Sequence, residues 1–295
     1  MNTKNVALVL GSGGARGIAH IGVINVLEKY GYKITSIAGT SMGALVGGIY
    51  ADGGLGTFTE WISKLTKRDI FNLMDFTFSK NGIIKGEKII EQLTGMVPEK
   101  NIEDLSIPYT AIATDIINGK EIIFTQGSLY NAIRASISIP TVFLPFKYNN
   151  TLLVDGGVLN PIPVNAVKRQ KNDMLVVVNV GSRKPIDENI LPPKQNYSED
   201  ETTDKKIEKI FRIIDRFTPK NNSDKIGYYN LLNKTTSLMI QKISELTLQL
   251  YNPDILIEMP RETFGTYEFF KAKEIIKVGE ILTQKALETV GSRKN

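Results

Sequence analysis

The pentapeptide Gly39-Thr40-Ser41-Met42-Gly43 is a G-x-S-x-G set between an apolar run, Ile34 to Ala38, and a small-residue helix pattern, Ala44 to Ile49. A serine on a tight strand-to-helix turn can present its hydroxyl as a nucleophile, and glycines on either side leave room where a β-carbon would collide. The plainer role for Ser41 is a helix N-cap. A nucleophilic serine needs a base. The chain order Ser, acid, His would require a histidine after Ser41, and none follows. The single histidine, His20, precedes it on a helix pattern, where packing or a local hydrogen bond is the expected role. A carboxylate is then the candidate base. The apolar run Thr151-Leu152-Leu153-Val154 delivers Asp155-Gly156-Gly157 at its carboxyl end, the edge where open α/β sheets place their sites. Gly156 and Gly157 allow a sharp turn that leaves Asp155 accessible; alone, the same tripeptide is an ordinary Asx-turn.

A third segment, Gly11-Ser12-Gly13-Gly14-Ala15-Arg16-Gly17, joins the apolar run Val6 to Leu10 to a helix pattern carrying Ile18, Ile21, Ile24 and Leu27. Such a loop exposes backbone N–H groups beside a helix N-terminus and invites an anion. Dinucleotide binding fits poorly: the spacing is G-x-G-x-x-x-G, and the next strand ends Ile37-Ala38-Gly39-Thr40 without a ribose-binding acid. A phosphate-binding P-loop fails for want of a closing Gly-Lys-Ser/Thr. Oxyanion stabilisation and a simple tight turn remain, and the first requires a nucleophile nearby.

These segments need a scaffold to converge. Strands are predicted at 6–10, 34–38, 107–114, 121–124, 151–154, 174–180 and 255–258, several without polar alternation, as befits parallel strands covered on both faces. Helices are predicted at 15–30, 42–51, 57–65, 86–95, 127–136 and 161–170, then at 205–217, 224–250 and 264–290, with a polar surface loop over 187–204. The alternation implies α/β architecture, with 6–167 as catalytic core and 168–295 supplying remaining strands and a helical C-terminal part of the same domain. Large apolar residues between Asp69 and Ile84, including Phe76 and Phe78, suggest a loop acting as lid or membrane-contacting flap, against the alternative of core packing.

Composition excludes much. Cysteine is absent and histidine single, so thiolate catalysis and disulfides are out and no metal or other cofactor is expected. Lys+Arg 36 against Asp+Glu 31 gives a net charge of +5, suited to an anionic membrane surface and equally to solubility. The uncharged stretch Ser36 to Ala51 is too short to span a bilayer, and Met1 to Leu10 does not read as a secretory signal. A cytoplasmic protein is expected.

The three motifs, in this order, resemble the patatin-like phospholipase family, particularly its small bacterial members and the neuropathy target esterase type of catalytic domain. The match spans about Val6 to Val167, with weaker echoes at Ala113-Thr114-Asp115, Ala135 to Pro140 and Asn160-Pro161-Ile162-Pro163. Ser12 departs from the pattern, standing where many members have glycine. The resemblance implies a three-layer α/β/α sandwich with a mostly parallel central sheet, and hydrolysis of fatty acyl esters by a Ser41–Asp155 dyad. It implies an oxyanion hole at Gly13, Gly14 and Ala15, with Arg16 either fixing the loop or meeting a phosphate head group. The expected partner is a membrane phospholipid or other acyl-ester lipid, met at the inner face of the membrane by peripheral contact, with no nucleic acid. A non-hydrolytic lipid-binding protein, and an acyltransferase or thioesterase using the same residues, are the alternatives.

Overall fold

Val6 to Leu10 is apolar at every position because both faces of its strand are covered. Val6, Leu8 and Leu10 face the main core, whereas Val9 joins Leu175 and Val177 in a second cluster across the sheet. The computed structural model describes residues 4–79, 82–191 and 228–292. Strand β1 (Lys4–Leu10) leads through a 3-10 turn (Gly14–Ile18) into α1 (Ala19–Lys29), β2 (Tyr32–Thr40) and α2 (Met42–Ala51). Next come α3 (Leu55–Ile62), α4 (Lys67–Leu73), the hairpin β3 (Phe76–Ser79) and β4 (Gly82–Ile84), and α5 (Glu87–Met96). Then follow β5 (Tyr109–Asp115), β6 (Lys120–Phe124), α6 (Leu129–Ser136), β7 (Phe146–Tyr148) and β8 (Thr151–Asp155). Strands β9 (Met174–Ser182) and β10 (Ile255–Pro260) flank α7 (Tyr228–Tyr251), and α8 (Ala272–Ser292) closes the chain.

The main sheet runs β10-β9-β1-β2-β5-β8-β7, with β6 also paired to β5. Strands β10, β9, β1, β2 and β5 are parallel; β6 and β8 run antiparallel to β5, and β7 antiparallel to β8. Helices cover both faces, which makes this the expected mostly parallel α/β/α sandwich with a helical C-terminal part. Register brings the motifs together: Leu10 pairs with Gly39, Thr40 with Ile112, and Ala113 with Asp155.

Every strand expected from the sequence is present, some a residue or two longer. Three short ones, β3, β4 and β7, carry too few residues to show a periodicity. Over 161–170 there is no helix, only a 3-10 turn at Val164–Ala166, because Pro161 and Pro163 remove the N–H groups a first turn would use. The last helix starts at Ala272 rather than 264, after a segment that doubles back over the glycine loop. Residues 69–84 form α4 and the β3–β4 hairpin rather than a loop. Thr66 and Asp69 make a reciprocal capping box at the start of α4, a signal present in the sequence. Within 187–204, residues Glu188–Ile190 form a 3-10 turn with Ile190 buried. Positions 192–204 and 205–217 lie outside the described residues.

Candidate active site

Strand β2 ends at Thr40, and Ser41 turns the chain into α2 with φ 58° and ψ −123°. Positive φ is strained for a residue with a β-carbon, and a serine held there presents its hydroxyl outward. The flanking glycines allow this turn to close: a β-carbon on Gly39 would lie 2.4 Å from the Gly43 carbonyl oxygen, and one on Gly43 2.1 Å from that of Leu10. Ser41 occupies the N-cap position of α2 without capping it through its side chain, which accepts no hydrogen bond from the helix. The Ser41 hydroxyl donates to Asp155 Oδ2 at 2.5 Å, while Asp155 Oδ1 accepts the Gly157 N–H at 2.7 Å.

Asp155 reaches this position by an unexpected route. Strand β8 runs antiparallel to β5, so its carboxyl end points back toward the amino ends of the parallel strands, yet it stops at Asp155, level with the carboxyl end of β2. It meets Ser41 because β8 stops one register step from the end of β2, with only β5 between them. Gly156 is packed against that intervening strand: a β-carbon there would lie 2.3 Å from the Ile112 carbonyl oxygen. Gly157 faces Ser12, whose Oγ would be 3.0 Å from such an atom. Both members of the pair are buried, Ser41 at 3% and Asp155 at 6% exposure. Burial pushes the Asp155 carboxyl up to about 6, against the lowering pull of the Ser41 hydroxyl and the Gly157 N–H.

The glycine loop is tied from several directions. Gly11 N–H donates to the Val178 carbonyl at 3.0 Å and Ser12 N–H to that of Pro161 at 2.9 Å. Residues Asn160 and Pro161 thus hold the loop and the elbow together, for the Thr40 hydroxyl donates to the Asn160 carbonyl at 2.9 Å. Of the expected oxyanion donors, Ala15 is excluded in this conformation because its N–H is spent on the Thr266 carbonyl at 2.8 Å. The amides of Gly13 and Gly14 carry no such bond among the described residues, and Gly14 lines the same cavity as Ser41 and Met42. The first-turn amides of α2 open at the same place and add a positive dipole end beside Ser41. Thr266 gave no sequence signal, since its contact depends on the return of the chain after β10.

Arg16 turns inward. Its Nε donates to the Val180 carbonyl at 3.0 Å and its Nη1 to those of Phe264 at 2.9 Å and Arg261 at 3.1 Å. This commits Nε and Nη1 to backbone carbonyls and places Arg16 as a tie on the loop. Burial lowers it to about 10, still charged at neutral pH. His20 is fully buried, and its Nε2–H donates to the Gly11 carbonyl at 2.9 Å. A carbonyl only accepts, so Nε2 carries the proton and Nδ1 is left without a partner. Burial lowers the ring to about 4, which keeps it neutral.

Ser41 opens on an apolar cavity walled by Phe58 and Trp61 of α3, Ile70 and Met74 around α4, and Ile137 and Val142 after α6. The segment expected to be a lid therefore forms part of the wall, with Ile70, Met74 and Ile84 buried together against Val142. Phe76 stands outside it, 42% exposed. Among the described residues no group of acidic or histidine side chains could hold a metal ion.

Residues 8–168 match the family model described as patatin-like phospholipase. An uncharacterized NTE family protein of Mycobacterium tuberculosis is 36% identical across 97% of this chain and 92% of its own length. Lysophospholipase NTE1 of Candida albicans is 28% identical across 95% of this chain, which spans 20% of that longer protein. Mouse patatin-like phospholipase domain-containing protein 7 is 28% identical across 93% of this chain and 20% of its own length. The crystal structure of VipD from Legionella pneumophila aligns over 98% of this chain and 67% of that one, with a TM-score of 0.46 and 12% identity. With more than half the chain inside the family model and a relative aligned nearly end to end, the chain belongs to the patatin-like phospholipase family.

Proposed function

We propose that the protein hydrolyses acyl esters of lipids through Ser41 and Asp155 by way of an acyl-enzyme. The observation carrying this reading is the 2.5 Å contact between Ser41 Oγ and Asp155 Oδ2 at the wall of an apolar cavity. In the first half-reaction Ser41 Oγ bonds to the ester carbonyl carbon as its proton passes to Asp155, and the carbonyl electron pair moves to oxygen. The free amides of Gly13 and Gly14 are the donors available to that oxyanion; loss of one such donor costs about 3 kcal/mol of barrier in other hydrolases. Collapse expels the alcohol, which takes the proton back from Asp155. A water then gives a proton to Asp155 as its oxygen bonds to the acyl carbon, and collapse breaks the bond to Ser41 Oγ, which takes that proton back from Asp155 as the fatty acid leaves.

An ordinary carboxylate is a weak base for an alcohol, and the raised value of about 6 narrows that gap. The three backbone acceptors of Arg16 support a loop-fixing role. The apolar walls suit an acyl chain and leave a polar head group at the mouth. No helix among the described residues is long and apolar enough to cross a membrane, so the substrate would be met from the surface. The name lysophospholipase carried by the fungal relatives supports a lysophospholipid substrate.

A fluorophosphonate probe followed by peptide mapping tests the nucleophile, and incubation with a mixed lipid extract followed by mass spectrometry tests the reaction. The expected results are a Ser41 adduct and release of free fatty acid. No adduct at Ser41 would favour a non-hydrolytic lipid-binding protein; acyl esters of a new alcohol in place of free acid would favour acyl transfer.

A further inference from the structure

The strained backbone of Ser41 requires something to hold it, and its own amide shows what does. Ser41 N–H points away from the helix it precedes and donates to Ser136 Oγ at 2.8 Å. The Ser136 hydroxyl donates in turn to the Ile112 carbonyl of β5 at 2.6 Å. A hydroxyl has one proton, so with that proton committed to Ile112 a lone pair is left facing the Ser41 amide. The relay Ser41 N–H to Ser136 O–H to Ile112 C=O has one direction, and Ser136 is wholly buried. Two residues on, the Ser138 carbonyl accepts the Asp155 N–H at 2.9 Å. The Ser138 hydroxyl is itself bonded to Arg134, by its Nη1 at 2.6 Å and its carbonyl at 2.8 Å. One short stretch at the end of α6 thus grips the backbone nitrogen of the nucleophile and that of the base.

We infer that Ser136 is a positioning residue: it fixes the Ser41 backbone so that Oγ lies within reach of Asp155. The inference rests on the Ser41–Asp155 reading above. A buried serine that merely stabilised the fold would not need to accept from the amide of the strained residue that carries the candidate nucleophile. Ser36 supplies the contrast: it is equally buried, on β2, and its hydroxyl has no partner.

The test uses the full chain and two activity readouts, Ser41 phosphonylation by a fluorophosphonate and kcat and KM on a soluble short-chain ester. S136A should keep its circular dichroism spectrum yet lose about 10–100-fold in phosphonylation rate and in kcat, with KM within about twofold, as expected for a misplaced reacting group. S136T, which keeps the hydroxyl, should recover most of that loss, and S36A should match the wild type. In the D155N background S136A should add little, because residues acting as one unit are not additive. A folded S136A protein with unchanged kcat would overturn the inference, as would a full additional loss in the D155N background. Failure of S136A to fold also counts against it, since Ser136 would then belong to the fold before the site. Absence of wild-type labelling at Ser41, or an active D155N, would instead overturn the dyad itself.

Discussion

Asp155 carries two demands at the scale of single residues: it must be buried beside Ser41, yet charged when Ser41 gives up its proton. Burial holds its carboxyl at about 6, above the unfolded value near 3.9. The base is lost as pH falls through that value, so kcat/KM on a soluble ester should drop on the acid side with an apparent pKa of about 6. The stability sign is opposite. Between about pH 4 and 6 the folded state binds more protons at this group than the unfolded chain, so its contribution to stability falls as pH rises across that window. D155N should therefore flatten the slope of Tm against pH between 4 and 6; an unchanged slope would refute the raised value. S41A and D155N should each reduce hydrolysis by orders of magnitude, with the double variant little worse than either. His20 has its one proton on the Gly11 carbonyl, so H20N should keep most activity and lose about 1–2 kcal/mol of stability. A folded H20N as inactive as S41A, beside an active D155N, would make His20 the base.

Elements matter where they hold loops. Besides its backbone bonds, the glycine loop is tied by Arg16 to β9 and to the segment after β10 through three carbonyls. R16M keeps the length but orphans those acceptors, at about 1–3 kcal/mol for each one left unpaired. Its expected signature is a lowered Tm together with slower phosphonylation of Ser41, since the amides of Gly13 and Gly14 lie on the same loop. The α4 and hairpin region is two-sided, with Ile70 and Met74 on the cavity wall and Phe76 facing out. F76S should weaken activity on phospholipid vesicles while sparing a soluble short-chain ester. Equal loss on both, with a lower Tm, would make Phe76 a packing residue.

The whole molecule is closed by segments far apart in sequence. Strand β9 lies between β1 and β10, and α8 packs along α1 where a β-carbon on Gly22 would lie 2.1 Å from the Ile276 carbonyl oxygen. Across the same contact, a β-carbon on Gly279 would lie 2.3 Å from that of Ala19. Such backbone approach leaves no volume for a side chain, so G279V should cost about 1–3 kcal/mol through forced separation of the helices. Thermal unfolding measures it, and an unchanged Tm would show that the two helices can part freely. A fragment ending at Val167 loses β9 and with it the acceptors of Gly11 and Arg16, and should not fold.

Local sequence determined the parts whose cause is local. The parallel strands were legible because two-faced burial demands uninterrupted apolar runs, as in Val6 to Leu10 and Met174 to Val178. The elbow was legible because only small residues fit around Gly39 and Gly43, and the absence of a histidine beyond Ser41 directed attention to a carboxylate. Tertiary structure decided the rest, since hydrogen bonds between distant segments leave no periodicity. It turned β8 antiparallel and still brought Asp155 level with Ser41. It spent the Ala15 amide on Thr266 and tied Arg16 to three carbonyls, which leaves the Gly13 and Gly14 amides as the proposed oxyanion donors. It also gave Ser136, a residue in an otherwise weak echo of the family pattern, the amide of the nucleophile to hold.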